Sequence, residues 1–339
     1  MRHASGPVLG WRSWATSLRH PGATFVCPNV AVELTLALPG GISILTKEQI
    51  TAVAWNSVAS GKGVNAARVF AATSGSCTLL APASRCFARE FARSSQAPGV
   101  KADWTPCSRP TRTSVVLLWP DGQATILRTE SHAATPLEWQ SLLEGVRSTA
   151  SSTRIICLCG SLPLGYPKDF YFRLLDVLRD ETKCIVDTYG EALLHAVKHR
   201  PYLTCPNERE LVETLGLEDA SERSIRRGVL KLVSLGARNV LVTRGAAGVL
   251  GVICGRWVEA VPPRMCVVNP VGAGDAFVAG VATALADEAS PEDVLRRATA
   301  VACASVGLRS SGEVGSVWRQ LEASVAVTWG AGVDEIEND

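Results

Sequence analysis

From Arg154 onward the chain alternates short apolar runs with amphipathic stretches, and this rhythm restricts the fold more than any other feature of its 339 residues. Ile155–Cys159 and residues 184–186, 202–205 and 239–243 have the length and apolar continuity of strands buried on both faces. Between them, residues 167–178, 191–197, 208–215 and 224–235 read as helices, the last stopping at Gly236. Ser290 before Pro291, Glu292 and Asp293 predicts another helix start, with an N-cap, a first-turn proline and acids against the dipole. Repeated strand and helix units with short connections imply an α/β fold with a mainly parallel central sheet covered by helices on both faces.

The first half departs from this rhythm. Val32, Leu34, Leu36 and Leu38 alternate with Glu33, Thr35 and Ala37, and residues 114–119 face 124–127 across a Pro120, Asp121, Gly122 turn. Such half-buried antiparallel strands predict a small sheet built from two insertions, at about 32–58 and 110–128, lying over one edge of the core as a lid. There is no internal repeat or long linker. The chain therefore reads as one domain over 23–325, with a disordered extension at 1–22 and a tail at 326–339.

Composition removes several classes of function. A hydrophobic content of 47% suits a large soluble core, and a formal net charge of +2 with scattered basic residues leaves no footprint for nucleic acid or an anionic membrane. No apolar run approaches the ~20 residues of a membrane span. Eleven cysteines, an odd number without a Cys-x-x-Cys, fit reduced thiols in a cytoplasm. Cys157 and Cys159 alternate along one strand and read as buried thiols rather than a metal site. His195 and His199 have the spacing of zinc ligands, but Ala196 stands where a His-Glu-x-x-His site carries glutamate, so a solvated helix face is expected. Residues 1–22 carry arginines and serines with no acid before Glu33, a composition like that of an organelle transit peptide. Organelle targeting stands as the alternative to a plain extension.

The chemistry is most visible at residues 268–277. Cys266, Val267 and Val268 read as a buried strand, and a helix follows from Ala276. Gly272, Ala273 and Gly274 between them would point bare N–H groups at an oxyanion, helped by the helix dipole. Asp275 would repel the same anion. A base that takes a proton from a hydroxyl attacking a phosphoryl group has to sit in such a place.

A second glycine cluster, Ser60, Gly61, Lys62, Gly63, Val64, Asn65 and Ala66, opens another helix. It satisfies a loose Gly-x-Gly-x-x-Ala dinucleotide fingerprint, but the acid expected about 20 residues further on is missing. A Walker A loop is absent as well. An oxidoreductase and a sensor without turnover remain as rival classes, and a helix N-cap is the plain structural role for Asp275.

Lys62 with Asn65 and a distant Gly-Ala-Gly-Asp together resemble the two signatures of the ribokinase-like, PfkB-type carbohydrate kinases. The order of the intervening segments is similar too: Gly160 to Gly165, Asp187 to Leu193 with Tyr189 for serine, Asn207 with Glu210, and Thr243 with Gly245 and Gly248. The resemblance implies a three-layer α/β/α sandwich with a β-sheet lid, ATP and Mg²⁺ as cofactors, and phosphorylation of a sugar hydroxyl. It implies Asp275 as general base and Gly272 to Gly274 as anion hole. Glu33, Gly61, Lys62, Asn65, Arg112 and Ser161 would face the substrate, while Asn207, Thr243, Gly245, Gly248, Gly272 and Gly274 would line the ATP site. Asn207 and Glu210 would hold magnesium, partly through water. Within the family the pieces most resemble kinases of fructose 1-phosphate, fructose 6-phosphate or tagatose 6-phosphate, and a homodimer through the lid is implied. A free sugar or nucleoside is the alternative substrate. Three departures stand out: Glu33 where the family has a shorter Asp, Ser60 for the first glycine of its loop, and Cys205 for a lysine.

Overall fold

The computed structural model describes residues 22–40, 49–94 and 99–333. The expected extension up to residue 21, lid residues 41–48 and the last six residues of the expected tail lie outside the described residues. Strand β1 (Thr24–Val26) begins the core, and the chain then leaves it for lid strands β2 (Ala31–Ala37) and β3 (Ala54–Ser60). Only Gly61 separates β3 from helix α1 (Lys62–Ser74), after which β4 (Cys77–Ala83), α2 (Arg85–Ser94) and β5 (Val100–Pro106) rebuild the core. A second excursion forms β6 (Arg112–Leu118) and β7 (Ala124–Arg128).

The expected alternation follows. It runs α3 (Pro136–Thr149), β8 (Ile155–Cys159), α4 (Phe170–Asp176), β9 (Lys183–Asp187), α5 (Gly190–Ala196), β10 (Leu203–Thr204), α6 (Glu208–Leu215), α7 (Glu222–Ser234) and β11 (Val240–Thr243). Two antiparallel strands, β12 (Val249–Ile253) and β13 (Arg256–Val261), precede α8 (Ala273–Ala286), α9 (Pro291–Val306), α10 (Trp318–Glu322) and β14 (Ala326–Gly332). Ser290 caps α9 by accepting from the Asp293 N–H, as its sequence predicts.

Ten strands form one sheet in the order β14-β13-β12-β11-β10-β9-β8-β1-β4-β5, parallel from β11 to β5. Alternation along each parallel strand feeds two cores. Phe25, Leu79, Cys157, Ile185 and Leu241 pack on the face covered by α1, α8 and α9. Val26, Leu80, Leu158, Val186 and Val242 pack on the face covered by α3 to α7. The sheet is therefore buried on both sides, which is why its strands read as continuous apolar runs.

Three expectations are corrected. The segment assigned to a tail at 326–339 contains β14, which pairs antiparallel with β13 and closes the sheet at that edge. The lid sheet, ordered β3-β2-β6-β7, is mixed rather than purely antiparallel: β2 and β6 run parallel because they come from separate insertions rather than from one hairpin. Cys266, Val267 and Val268 form no strand. Pro262 and Pro263 cannot extend the ladder of β13, and the segment crosses the surface with Cys266 and Val267 exposed and Val267 beneath the lid turn at Gly122.

Candidate active site

The parallel strands end on one side of the sheet, where the lid overhangs them and encloses a cavity of about 270 Å³. Clefts outside the carboxyl ends of parallel strands are where α/β sheets bind ligands. Asp187, the last residue of β9, and Thr243, the last of β11, reach the cavity floor. The inner face of the lid supplies the roof through Glu33, Arg112, Ser114 and Arg128.

Helix α8 starts against the cavity because its entry is locked. Asn269 is buried, accepts from the Val271 N–H at 2.9 Å and donates to the Arg309 carbonyl at 2.8 Å. Gly272 then takes φ of 89°, a left-handed conformation that side-chain-bearing residues avoid. The first intrahelical bond runs from the Ala276 N–H to the Gly272 carbonyl, so the N–H groups of Gly274 and Asp275 precede the ladder. Asp275 is 7% exposed, and its Oδ2 accepts from Asn65 Nδ2 at 2.8 Å. Burial, reinforced by the nearby Asp187 charge, pushes the Asp275 carboxyl up to about 7, with Lys62 and Asn65 pulling the other way. A carboxyl balanced near neutrality suits proton transfer.

Lys62, the first residue of α1, sits between two acids, 2.8 Å from Asp187 and 2.7 Å from Glu210. Burial opposes its charge, but Asp187, Glu210 and Asp275 outweigh that and hold its pKa above the usual lysine range. Asn207 and Glu210 form a capping box at the start of α6: Asn207 Oδ1 accepts from the Glu210 N–H and Glu210 Oε2 accepts from the Asn207 N–H. The Asn207 side-chain oxygen is thus already engaged. Glu210 and Asp187 present hard carboxylate oxygens to the cavity, and these fit a hydrated magnesium, which keeps several of its waters.

Glu33 and Ser60 belong to one network. Glu33 is 4% exposed and accepts from Ser311 Oγ at 2.6 Å and Ser60 Oγ at 3.1 Å. The Ser60 hydroxyl also lies 3.3 Å from Asn65 Oδ1, so its one proton serves either acceptor in turn. Ser60 costs no backbone freedom, because it is the extended end of β3. The positive φ, 133°, falls at Gly61, where a Cβ would meet Cys27 Sγ at 3.0 Å. Cys205 lines the cavity as a buried thiol whose pKa burial raises well above the usual value.

Not every expected residue reaches this cavity. Glu33, Gly61, Lys62, Asn65, Arg112, Asn207, Glu210, Thr243, Gly272, Gly274 and Asp275 line it, whereas Ser161, Gly245, Gly248 and Ala273 do not. Ser161 accepts from Asn29 Nδ2 at 3.1 Å and so ties two loops together. A Cβ at Gly248 would lie 2.0 Å from the Ala260 carbonyl, so that glycine serves the close approach to β13. Ala273 donates its N–H to the Pro270 carbonyl. Sequence reasoning gave no role to Asp187, although a strand-terminal carboxylate is a signal in such a sheet, nor to Arg128 or Ser311.

A family description of pfkB carbohydrate kinases matches residues 38–316. The chain belongs to this family. The kinase is 31% identical over 271 residues to the 1-phosphofructokinase of Escherichia coli, covering 79% of this chain and 86% of that one. The solved structure of Escherichia coli phosphofructokinase-2 in complex with fructose-6-phosphate matches at a TM-score of 0.77 and 25% identity, over 89% of this chain and 98% of that one. Arabidopsis thaliana ribokinase, complexed with ribose and ATP, shares the fold at a TM-score of 0.63 and 22% identity, over 87% and 95% of the two chains. The protein is therefore a ribokinase-like, ATP-dependent carbohydrate kinase, and neither an oxidoreductase nor a passive sensor.

Proposed function

We propose that this kinase transfers the terminal phosphoryl group of ATP to a hydroxyl of a hexose phosphate, of the class of fructose 1-phosphate, fructose 6-phosphate or tagatose 6-phosphate. The observation that carries the proposal is one cavity lined by both the buried Asp275 carboxylate and the cationic Arg112. The relatives named for fructose phosphates support the same substrate class.

In this reading Asp275 takes the proton of the acceptor hydroxyl as its oxygen bonds to the terminal phosphorus, and the bond to ADP breaks on the opposite side. The N–H groups of Gly274 and Asp275, with the dipole of α8, stabilise the charge spread over the transferred group. Asn65 aims the carboxylate. Lys62, held between Asp187 and Glu210, faces the sugar phosphate, and Thr243 borders the nucleotide. Glu210 and Asp187 would hold a hydrated magnesium, which would supply neutralisation of the nucleotide phosphates, and Asn207 fixes Glu210 through the capping box. The unpaired thiols fit a reducing, cytoplasmic setting.

Coupled ADP release against a panel of free sugars, nucleosides and hexose phosphates tests the reading, with turnover expected on a hexose phosphate. Asp275→Ala should lower kcat at least ~10²-fold with little change in nucleotide affinity, as loss of a general base does. Turnover confined to a free sugar or nucleoside, or a near-normal Asp275→Ala enzyme, would sink the substrate or the base assignment respectively.

A further inference from the structure

Strand β7 ends at Arg128, whose guanidinium borders the cavity without a role in the reaction just described. The strand registers fix its direction. Ala31 pairs with Arg112 and Glu33 with Ser114 across β2 and β6, while Ser114 pairs with Arg128 across β6 and β7. Residues two apart on a strand share a face, so Arg112, Ser114 and Arg128 stand together on the cavity side of the lid.

Among the described residues no carboxylate pairs with Arg112 or Arg128, whereas the neighbouring Arg109 is held by Glu138 at 2.8 Å. The carboxylate opposite Ser114 is spent, because Glu33 takes the hydroxyls of Ser60 and Ser311. Arg112 donates one N–H to the Asn29 carbonyl at 3.3 Å, and its buried Nε has no partner. Burial, with the like charges of Arg128 and Arg109, holds the Arg112 pKa below the usual arginine value. A half-buried cation facing a second cation is an incomplete cluster, since burying charge without a partner is unfavourable. A tetrahedral dianion has enough oxygens for both planar forks.

We propose that Arg128 is a specificity-determining residue that grips, together with Arg112, the phosphate already carried by the acceptor. Arg112 is the half-buried arm, tied to the Asn29 carbonyl, and Arg128 is the exposed arm on the neighbouring lid strand. The inference rests on the sugar-phosphate reading and extends it to the discrimination step. A free sugar of the same shape leaves two guanidiniums facing each other and is rejected for that reason.

The test measures the KM for the hexose phosphate that the wild-type enzyme turns over, and the KM for ATP, in Arg128→Ala, Arg128→Lys and Arg112→Ala. Arg128 is exposed, and melting temperatures confirm that its variants fold. Arg128→Ala should raise the acceptor KM about tenfold to a hundredfold, the worth of one charge-assisted contact, with the KM for ATP unchanged. Arg128→Lys should recover part of the loss, and discrimination against the unphosphorylated sugar should narrow in Arg128→Ala. An unchanged acceptor KM in Arg128→Ala beside a raised one in Arg112→Ala overturns the inference and leaves the substrate reading standing. A rise in the KM for ATP alone overturns it by assigning Arg128 to the nucleotide. Turnover of free sugars only removes both.

Discussion

At the scale of single residues, Asp275 holds the tension between stability and activity. Its carboxyl is raised in the folded chain from the ordinary aspartate range to about 7, chiefly by burial. The folded state therefore binds that proton more tightly than the unfolded state, so the favourable contribution is complete below about pH 4 and is lost as the pH rises through about 7. For Asp275 as the proposed base, activity has the opposite sign, because only the ionised carboxylate accepts a proton. We expect kcat/KM to climb with pH on an acid limb centred near 7, and this limb to vanish in Asp275→Ala. Asp275→Asn, which still accepts from Asn65, should melt about 2 °C or more above the wild type at pH 8 while being nearly inactive. A lower melting temperature at that pH would count against the buried charge as the source of strain.

At the scale of elements, the start and the middle of α8 have different demands that substitutions separate. Gly274 lines the cavity, and a Cβ there would meet no protein atom within 4 Å. Gly280, two turns further, lies where α8 crosses α9, and a Cβ would come within 2.6 Å of the Ala298 backbone. Gly274→Ala should leave thermal stability nearly unchanged and cut turnover at least ~10-fold by crowding the transferred group. Gly280→Ala should instead cost about 1–3 kcal/mol in chemical denaturation, as overpacking does, with a smaller effect on kcat. The same contrast explains what the sequence made legible. Parallel strands buried on both faces are readable because apolar continuity is local, and the turn at Gly272 is readable because two glycines beside an acid at a helix start form a local phosphate-binding pattern. The strand β14 was missed because Ala326 to Gly332 gains its order from pairing with β13, some seventy residues away. Cys266 to Val268 misled for the converse reason: apolar side chains alone do not make a strand when prolines precede them and no neighbour offers a ladder. Arg128 becomes significant only once register sets it opposite Ser114.

At the scale of the whole molecule, the lid has two working faces. One roofs the cavity, while the other carries Leu34, Leu36, Val115 and Leu117 half-exposed, with Trp55 at 71% and Leu127 at 56% exposure. An apolar sheet face of this kind is a candidate association surface, and a second copy of the chain is the occupant that the family resemblance implies. Trp55→Asp should shift the protein toward monomer in sedimentation, and a wild type that sediments as a monomer at assay and millimolar concentrations alike would remove the dimer. The lid is joined to the core by four chain crossings, and one of them has almost no slack. Strand β3 passes into α1 through Gly61 alone, and α1 bears both the lysine latched to Asp187 and Glu210 and the asparagine that aims Asp275. The lid and α1 are therefore coupled through the single residue Gly61. Any tilt of the roof would be passed through Gly61 to the helix that holds Asp187, Glu210 and Asp275, so roof and site are mechanically one piece.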